Sequence, residues 1–374
     1  MGVKFRAEKE DLIKLISPAA AGASNKTTLP ALEGILFTLS GDELTLCGYD
    51  LERGIHVTGE VIGETDGAVI LNASKINSII KALPDGEVSF ICDDKNSVTV
   101  KCGMSEYVMH GSNADMFPNL PDFSGDYSFD IKGGVIKRIV SGTYFAISQI
   151  DKRAVLQGQC FLINGGDISA IALDNFRIAM WSEKNAVTSE KENMEFIVPG
   201  KSLLEFSRLI SDNDEDIHCE LTMKHIIFSV NNVVFFSRLT EGPYLAFERQ
   251  IREESKINVK VSREALIESV ERVSLFVDEK NKTPIQCTFT GNMLNIFCFN
   301  QFGRVNDSVI VEKSGPDLEI WFNYKYILEA LRACTEDEVV LELNSEMHAM
   351  QIRNDKNAEK SFFHLILPMK IKRD

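Results

Sequence analysis

The feature that most constrains this chain of 374 residues is a pattern of strands and helices that recurs three times. The recurrence has a period of about 125 residues, which indicates tandem copies of one folding unit rather than unrelated domains. Each copy opens with a short alternating strand that leads into apolar residues at helical spacing, and a second helical pattern follows later. The six predicted helices span residues 8–21, 73–82, 132–145, 200–211, 262–277 and 323–334.

Between the two helices of each copy, two strand-like runs flank a turn that contains glycine. Glycine and asparagine tolerate the positive φ of a tight hairpin turn, and they occur at Gly41-Asp42, Gly165-Gly166 and Gly291-Asn292. The strand that leaves each turn ends in a related polar corner, at residues 50–53, 174–177 and 300–304.

This shared order of strands, turns and helices predicts an α+β fold built from three tandem copies of a two-helix, antiparallel-sheet domain. Each copy has room for roughly six to eight strands. The predicted domains are residues 1–124, 125–254 and 255–374.

The chain carries no recognisable catalytic motif. It lacks a phosphate-binding glycine loop, a dinucleotide fingerprint, a zinc-protease helix and a nucleophile elbow. Its six histidines are scattered, and its eight cysteines form no Cys-x-x-Cys pair, which favours buried free thiols over disulfides or a metal site. Asp174 and Arg177 could be imagined as an acid and an anion clamp, but an ion pair that fixes the corner explains them better. We predict a protein that is not an enzyme and binds no metal or cofactor.

No apolar run approaches the length of a membrane-spanning helix, and the N-terminus lacks the apolar segment of a secretory signal. Free thiols suit a reducing compartment. We therefore expect the chain in the cytoplasm.

Charge is distributed unevenly along the sequence. The formal net charge is −15, which taken alone argues against binding to nucleic acid. The six predicted helices nevertheless contain 13 Lys/Arg and 8 Asp/Glu, so they carry +5 and the rest of the chain carries −20. A single basic helix could simply present lysine and arginine to water. Across six helices the segregation indicates a common basic face.

Several segments carry a family resemblance, and they occur in the expected order along the whole chain. These segments are residues 28–36 (TLPALEGIL), 48–52 (GYDLE), 117–120 (FPNL), 172–179 (ALDNFRIA) and 367–371 (LPMKI). They resemble the beta subunit of bacterial DNA polymerase III, the replicative sliding clamp. The resemblance implies a homodimer in which two three-domain chains join head to tail into a six-domain ring, with helices inside and sheets outside.

The resemblance also implies a role for the basic helices. Lysine and arginine inside a ring can contact phosphates loosely without reading bases, while an acidic exterior repels DNA. Such a protein would encircle duplex DNA, slide along it irrespective of sequence and hold the replicative polymerase to its template. The residues expected to face DNA are Lys26, Lys75, Lys81, Lys132, Lys137, Arg138, Lys201, Arg208, Lys325 and Arg332.

By the same resemblance, a hydrophobic groove between the second and third domains would bind short peptides from the polymerase alpha subunit, the clamp loader and repair proteins. Leucine and methionine give an adaptable apolar floor that suits several partners. The alternative is that some of these residues, Leu156 and Ile178 in particular, belong to an interdomain core. The residues expected in the groove are Arg153, Leu156, Leu173, Asp174, Phe176, Arg177, Ile178, Leu245, Arg249, Asn323, Tyr326, Met347, Leu367, Pro368, Met369 and Lys370.

The chain departs from the family pattern near this groove. Leu173, Asn175 and Phe176 replace the usual residues of the corner and make it bulkier and more apolar. The proline within residues 242–247 is displaced, and residues 372–374 extend beyond the usual end. We expect a peptide preference that differs from that of better-known relatives.

For the ring contact, the resemblance points to the strand at residues 106–109 of the first domain, which would meet the third domain of a second chain. Edge strands with apolar faces invite pairing, and a heterologous contact that closes after two copies gives a ring. The hairpin at residues 299–304 is nearly uncharged, whereas relatives often carry an acidic cluster there. The residues expected at the dimer interface are Tyr107, Met109, Leu275 and Phe276.

Two other functions remain open from the sequence. The same triplicated fold could serve as an interaction scaffold that holds protein partners without encircling DNA. An enzyme is a weaker alternative, because it would depend on Asp174 and Arg177 alone. Retention on circular DNA and release on linearisation distinguishes a ring from both.

Overall fold

The computed structural model describes residues 2–24, 27–121, 125–189, 191–247, 251, 254–278, 283–354 and 358–370. All six predicted helices are confirmed, with ends that differ from the predicted ones by at most a few residues. They are α1 Lys9–Gly22, α2 Ala73–Ala82, α3 Gly133–Thr143, α4 Gly200–Leu209, α5 Arg263–Ser274 and α6 Tyr324–Ala333. Among the described residues, no helix combines the length and apolar character needed to cross a bilayer.

Side-chain caps begin three of the helices. The side-chain oxygens of Asn72, Ser262 and Asn323 accept hydrogen bonds from backbone N–H groups in the first turns of α2, α5 and α6. Such caps satisfy N–H groups that have no partner inside the helix. Asparagine and serine are among the residue types that favour this position.

Twenty-seven strands are described, and each predicted domain contains nine of them. The first nine are β1 Lys4–Glu8, β2 Gly34–Ser40, β3 Glu43–Tyr49, β4 Arg53–Glu60, β5 Ile62–Thr65, β6 Gly67–Asn72, β7 Glu87–Cys92, β8 Ser97–Cys102 and β9 Ser105–His110. The next nine are β10 Tyr127–Lys132, β11 Gly158–Asn164, β12 Asp167–Leu173, β13 Arg177–Glu183, β14 Val187–Ser189, β15 Asn193–Pro199, β16 Asp216–Leu221, β17 His225–Val230 and β18 Val233–Arg238. The last nine are β19 Ile257–Ser262, β20 Ile285–Thr290, β21 Met293–Asn300, β22 Gly303–Ile310, β23 Glu312–Ser314, β24 Leu318–Phe322, β25 Glu338–Leu343, β26 Met350–Arg353 and β27 Lys360–Ile366.

The prediction of six to eight strands per domain is therefore too low. The short strands β5, β14 and β23 contain too few residues for an alternating pattern to identify them. The three predicted glycine turns are confirmed, because Gly41, Gly165 and Gly291 have φ of 59°, 59° and 53°. These values lie in the left-handed region that glycine adopts without strain.

The chain forms two compact units. The first unit comprises Met1–Gly133 and Glu205–Leu239, and the second comprises Gly134–Leu204 and Thr240–Asp374. These units do not follow the predicted domain boundaries, because strands of the middle domain complete sheets with strands of either neighbour: β18 pairs with β4, and β13 pairs with β27. The three-domain boundaries remain a prediction.

The first unit contains one sheet in the order β5-β1-β7-β8-β9 and a second that runs β10-β16-β17-β18-β4-β3-β2-β6. In the core of the first unit, the rings of Phe5 and Phe37 stack on the ring of Phe90, with centroids 4.6 and 5.4 Å away. Helix α1 approaches β3 closely at Gly48, where a Cβ would lie only 1.9 Å from the carbonyl oxygen of Ala19. The predicted edge strand at residues 106–109 is confirmed, since β9 ends its sheet.

The second unit contains a sheet in the order β15-β11-β12-β13-β27-β26-β25-β19-β23 and a smaller one in the order β22-β21-β20-β24. Helix α3 lies against β13, where Gly142 leaves space for the ring of Trp181. The buried ring of Trp181 stacks in turn on Phe362 of β27. This sheet carries the polar corner and the C-terminal segment that form the candidate site.

Candidate functional site

A tight corner at Asp174–Arg177 turns the chain from β12 into β13. The Asp174 carboxylate accepts hydrogen bonds from the backbone N–H of Phe176 at 2.7 Å and of Arg177 at 3.0 Å. The Arg177 guanidinium also donates to it, with Nε 3.2 Å from the carboxylate. These bonds close the corner and leave the Phe176 side chain 53% exposed. The corner at Asp50 is closed in the same way, with two backbone N–H groups donating to the Asp50 carboxylate.

Arg177 lies behind the corner rather than on its surface. Its side chain is only 10% exposed, and its guanidinium pairs with the carboxylates of Asp174 and Glu329. The guanidinium carbon is 4.5 Å from the ring centroid of Tyr326 and 5.3 Å from that of Phe145. Arg177 thus joins the corner to α6 and to the segment after α3. Arg177 itself lines neither cavity, and its role around the groove stays a prediction.

The C-terminal segment, residues 367–370, crosses this region as a strap. The Leu367 N–H donates to the carbonyl of Phe176 at 2.8 Å, and the Met369 N–H donates to the carbonyl of Trp321 at 2.8 Å. Pro368 lies between them and has no N–H to donate. The two hydrogen bonds fix the strap at both sides.

The strap separates two cavities. The larger cavity has a volume of about 600 Å³ and the smaller one about 480 Å³, and both are lined by all four strap residues. The other residues lining the larger cavity are Asn175, Phe176, Val277, Thr283, Asn323, Tyr324, Lys325 and Tyr326. The other residues lining the smaller cavity are Trp321, Glu346 and Met347. The lining of the larger cavity thus combines three aromatic rings with aliphatic side chains, and its two lysines, Lys325 and Lys370, form a positive rim.

The predicted groove residues divide between these cavities and the core beneath them. Eight of them line a cavity: Phe176, Asn323, Tyr326, Met347, Leu367, Pro368, Met369 and Lys370. Leu156, Leu173 and Ile178 do not form an accessible floor, because they are buried in one apolar cluster with Phe247 and Phe363. The alternative interpretation of Leu156 and Ile178 as core residues is therefore correct, and Leu173 joins them.

Arg153, Asp174, Leu245 and Arg249 complete the predicted set. Arg153 binds the Asp151 carboxylate at 2.8 Å and the side chain of Asn175 at 3.0 Å, so it holds a loop beside the corner. Its side-chain hydrogen bond keeps the pKa of Asp151 well below the usual range. Leu245 is half-exposed but lines neither cavity. Arg249 lies outside the described residues.

Several residues of the site escape the sequence analysis. Tyr324 is visible only as part of a helix start, and Glu329 only as a residue one turn after Tyr326 on the same helix. Burial raises the pKa of the Tyr326 hydroxyl, with smaller contributions from the nearby carboxylates. Phe145 and Trp321 carry no signal in the sequence, because their role depends on strands far apart in the chain.

The six helices keep the predicted excess of positive charge. With their observed ends they contain twelve Lys/Arg and seven Asp/Glu, which again gives +5. Lys75, Lys81, Lys201 and Lys325 are exposed on α2, α4 and α6, and Lys137 is half-buried on α3. Lys325 also lines the larger cavity.

Other basic residues of the predicted DNA-facing set are engaged in ion pairs. Arg208 contacts Glu205 at 3.4 Å, and Arg332 contacts Glu271 at 2.6 Å. Lys132 lies at the end of β10 rather than in a helix, and its ammonium group is 2.6 Å from Asp216. Lys26 lies outside the described residues.

Arg138 is bound by a buried carboxylate. Its guanidinium forms two hydrogen bonds of 2.8 Å with Glu183, whose carboxylate is 4% exposed. Trp181 Nε1 donates to the same carboxylate at 2.8 Å. Arg138 therefore holds α3 to β13 through a buried carboxylate, and its DNA-facing role stays a prediction.

The predicted interface residues lie on exposed edges. Tyr107 is exposed and Met109 half-buried on the edge strand β9, and Leu275 is exposed beyond the end of α5 with Phe276 half-buried beside it. Strand β22 ends the smaller sheet of the second unit. The exposed apolar residues near this edge are Phe299, Phe302 and Ile310.

Sequence comparisons match the chain along most of its length. Models of the N-terminal, central and C-terminal domains of the DNA polymerase III beta subunit match residues 3–121, 130–245 and 249–370. The beta sliding clamp of Staphylococcus epidermidis is 30% identical over 378 residues, which cover 98% of this chain and 99% of that protein.

Solved structures are also similar over almost all of the chain. A putative DNA polymerase III beta subunit from Eubacterium rectale has a TM-score of 0.94 at 27% identity and covers 99% of this chain and 100% of its own. A sliding clamp from Pseudomonas aeruginosa bound to griselimycin has a TM-score of 0.92 at 27% identity, with the same coverage.

Proposed function

The chain belongs to the family of bacterial DNA polymerase III beta subunits, the beta sliding clamps, and we propose from this membership that it is the processivity factor of chromosomal replication. It is a non-catalytic subunit in this proposal. Two chains form a ring that encircles duplex DNA irrespective of sequence and tethers the replicative polymerase to it. Because bacterial chromosomal DNA lies in the cytoplasm, the protein would act there.

The observation that carries the DNA-binding part of this proposal is the partition of charge. The helices carry +5 within a chain whose net charge is −15. Exposed lysines on α2, α4 and α6 can meet phosphates through loose contacts, and an acidic remainder disfavours binding elsewhere. Weak contacts inside a closed ring permit sliding, since retention depends on topology rather than on affinity.

Ring closure in this proposal uses the exposed edges described above. Strand β9 of one chain would extend the sheet that ends at β22 of the other, with Tyr107 and Val108 meeting the apolar residues Leu275, Phe299 and Phe302. An edge strand presents unpaired backbone groups that a second strand can satisfy. The contact is heterologous, so two copies close it into a ring.

Partner binding is proposed at the two cavities beside the strap. Eight of the predicted groove residues line them, and the strap gives both a common wall. The combination of aromatic rings, Met347 and a positive rim suits a short apolar peptide with acidic residues. Peptides of the polymerase alpha subunit, the clamp loader and repair proteins are the proposed ligands.

The test is retention on circular DNA. The full chain is loaded onto a nicked circular duplex by the clamp loader of the same bacterium, and the complex is separated from free protein by gel filtration. We expect the protein to stay with the circle in high salt and to leave after a restriction enzyme linearises it. Loss from the circle in high salt, or retention on the linear product, would contradict a ring and favour an open scaffold.

A further inference from the structure

Phe176 and Tyr326 form one wall of the larger cavity, and this wall is supported from behind. The two rings stack with centroids 6.1 Å apart and planes inclined by 22°. Behind Tyr326 lies the guanidinium of Arg177, at 4.5 Å from the ring centroid. The carboxylates of Asp174 and Glu329 both bind that guanidinium. The wall is therefore the outer layer of a stack whose inner layer is an ion-paired plane.

The two carboxylates determine how the guanidinium is oriented. Asp174 binds Nε and Glu329 binds a terminal nitrogen, so two of the three nitrogens are held at the edge of the plane while its faces contact rings. Guanidinium groups combine directional donation at the edge with stacking on the face, which a single ammonium charge cannot do. Asp174 belongs to the corner itself, whereas Glu329 comes from α6.

Glu329 does not line either cavity, although Tyr326 on the preceding turn of α6 does. Its carboxylate is on the same helix as the ring that it supports, and Arg177 is the group that connects them. An effect of Glu329 on a ligand in the cavity must therefore pass through Arg177.

We propose that Glu329 is a positioning residue of the partner groove: it holds the Arg177 guanidinium so that Tyr326 stays stacked against Phe176 and the exposed Phe176 ring offers a flat surface. It thereby sets a preference for a ligand with a planar apolar side chain. This role rests on the proposed function, because the ligand is the partner peptide. It extends that function by naming a selectivity determinant outside the cavity. Phe145, at 5.3 Å from the guanidinium carbon, supports the same plane.

The test compares two labelled short peptides that are identical except for a single Phe or a single Leu between acidic residues. Binding to the full chain is measured by fluorescence anisotropy. Glu329→Gln keeps the size of the side chain and removes its charge. We expect the Phe peptide to bind roughly five- to tenfold more weakly to this variant and the Leu peptide to change less than about twofold.

The matched control is Glu271→Gln. Glu271 also pairs with an arginine, Arg332, and its side chain is 47% exposed against 41% for Glu329, but it lines neither cavity. This control should leave both affinities unchanged, and thermal unfolding should show similar melting temperatures for all three proteins. Arg177→Lys should reproduce the loss of preference, because an ammonium group cannot hold the plane.

Equal weakening of both peptides in Glu329→Gln, or an unchanged preference, would overturn the positioning role. If the unmodified chain bound neither peptide, the proposed groove would fail together with this role. The experiment on circular DNA would still judge the ring, so the two failures can be distinguished.

Discussion

At the scale of single residues, positive charge on a helix does not by itself identify a contact with DNA. Arg138 and Lys137 are neighbours on α3, yet Arg138 is bound by the buried Glu183 carboxylate, whereas Lys137 makes no ion pair within the described part of the chain. The side-chain hydrogen bond to Glu183 raises the pKa of Arg138 further. The two residues should therefore have different roles despite the same charge and helix.

Substitution separates these roles. Arg138→Met leaves the Glu183 carboxylate buried without its cation, and we expect a loss of about 2–4 kcal/mol in the free energy of unfolding. The loss is smaller than for a fully buried ion pair because Arg138 is partly exposed. Lys137→Met should change stability by less than about 0.5 kcal/mol and should lower the slope of DNA affinity against salt. Urea unfolding and DNA titrations at several salt concentrations measure both effects. Equal stability of the two variants would contradict this assignment.

His364 is a second residue whose role is visible only in three dimensions. It is fully buried on β27, neither ring nitrogen has a hydrogen-bond partner in the described structure, and its ring lies between those of Phe145 and Phe362. Burial lowers its pKa to about 3. The imidazole is therefore neutral in the folded protein at any physiological pH.

This burial makes the protein sensitive to acid. The pKa of histidine in an unfolded chain is about 6.5, so between that pH and about 3 the unfolded chain binds a proton that the folded chain does not. Protonation of His364 therefore does not lower the free energy of unfolding above about pH 6.5. Below that pH it lowers the free energy of unfolding by roughly 1.4 kcal/mol per pH unit. His364→Leu should be at least as stable at neutral pH and should lose this slope. Parallel stability curves for the two proteins in urea unfolding between about pH 5 and 7 would contradict the prediction.

At the scale of elements, the strap shows how two backbone hydrogen bonds can build a binding surface. Leu367 and Met369 donate to carbonyls on opposite sides, and the four strap residues contribute to both cavities. Removal of residues 367–374 would merge and open both cavities while leaving β27 intact. Residues 367–370 belong to no helix or strand.

We therefore expect a chain that lacks residues 367–374 to load on nicked circular DNA as the full chain does but to give no stimulation of the replicative polymerase. Loading is measured by gel filtration and stimulation by the length of product made in one binding event. Polymerase stimulation by the shortened chain would refute the assignment of the groove, and failure to load would show that the strap also supports the ring.

The sequence predicts elements well where the signal is local. All six helices and the three glycine turns follow from the spacing of apolar residues and from glycine at the turns, and each signal involves a few neighbouring residues. The core position of Leu156 is different, because it depends on Phe247 and Phe363, which come from distant parts of the chain. The periodicity of apolar residues predicts which face of an element is apolar. It does not show whether a residue on that face lines a cavity or packs beneath another side chain.

At the scale of the whole molecule, the triplication is readable from the sequence and the division into compact units is not. The repeat is a property of order along the chain, whereas the units reflect which strands pair, and pairing between β18 and β4 or β13 and β27 has no sequence motif. The proposed ring is an implication of the family resemblance, and no spacing of residues in the sequence predicts it. The net charge of the helices, by contrast, is the same with predicted and observed ends, because it depends on composition rather than on precise boundaries.

The sharing of sheets between repeats ties the middle copy to both of its neighbours. Without residues 125–254, β4 and β27 would each lose the strand on one side, and a row of unsatisfied backbone groups would be left on both. The middle copy in isolation would have the complementary defect. A substitution on β4 or β27 that alters strand pairing therefore has to be matched by the strand of the middle copy that borders it, β18 or β13.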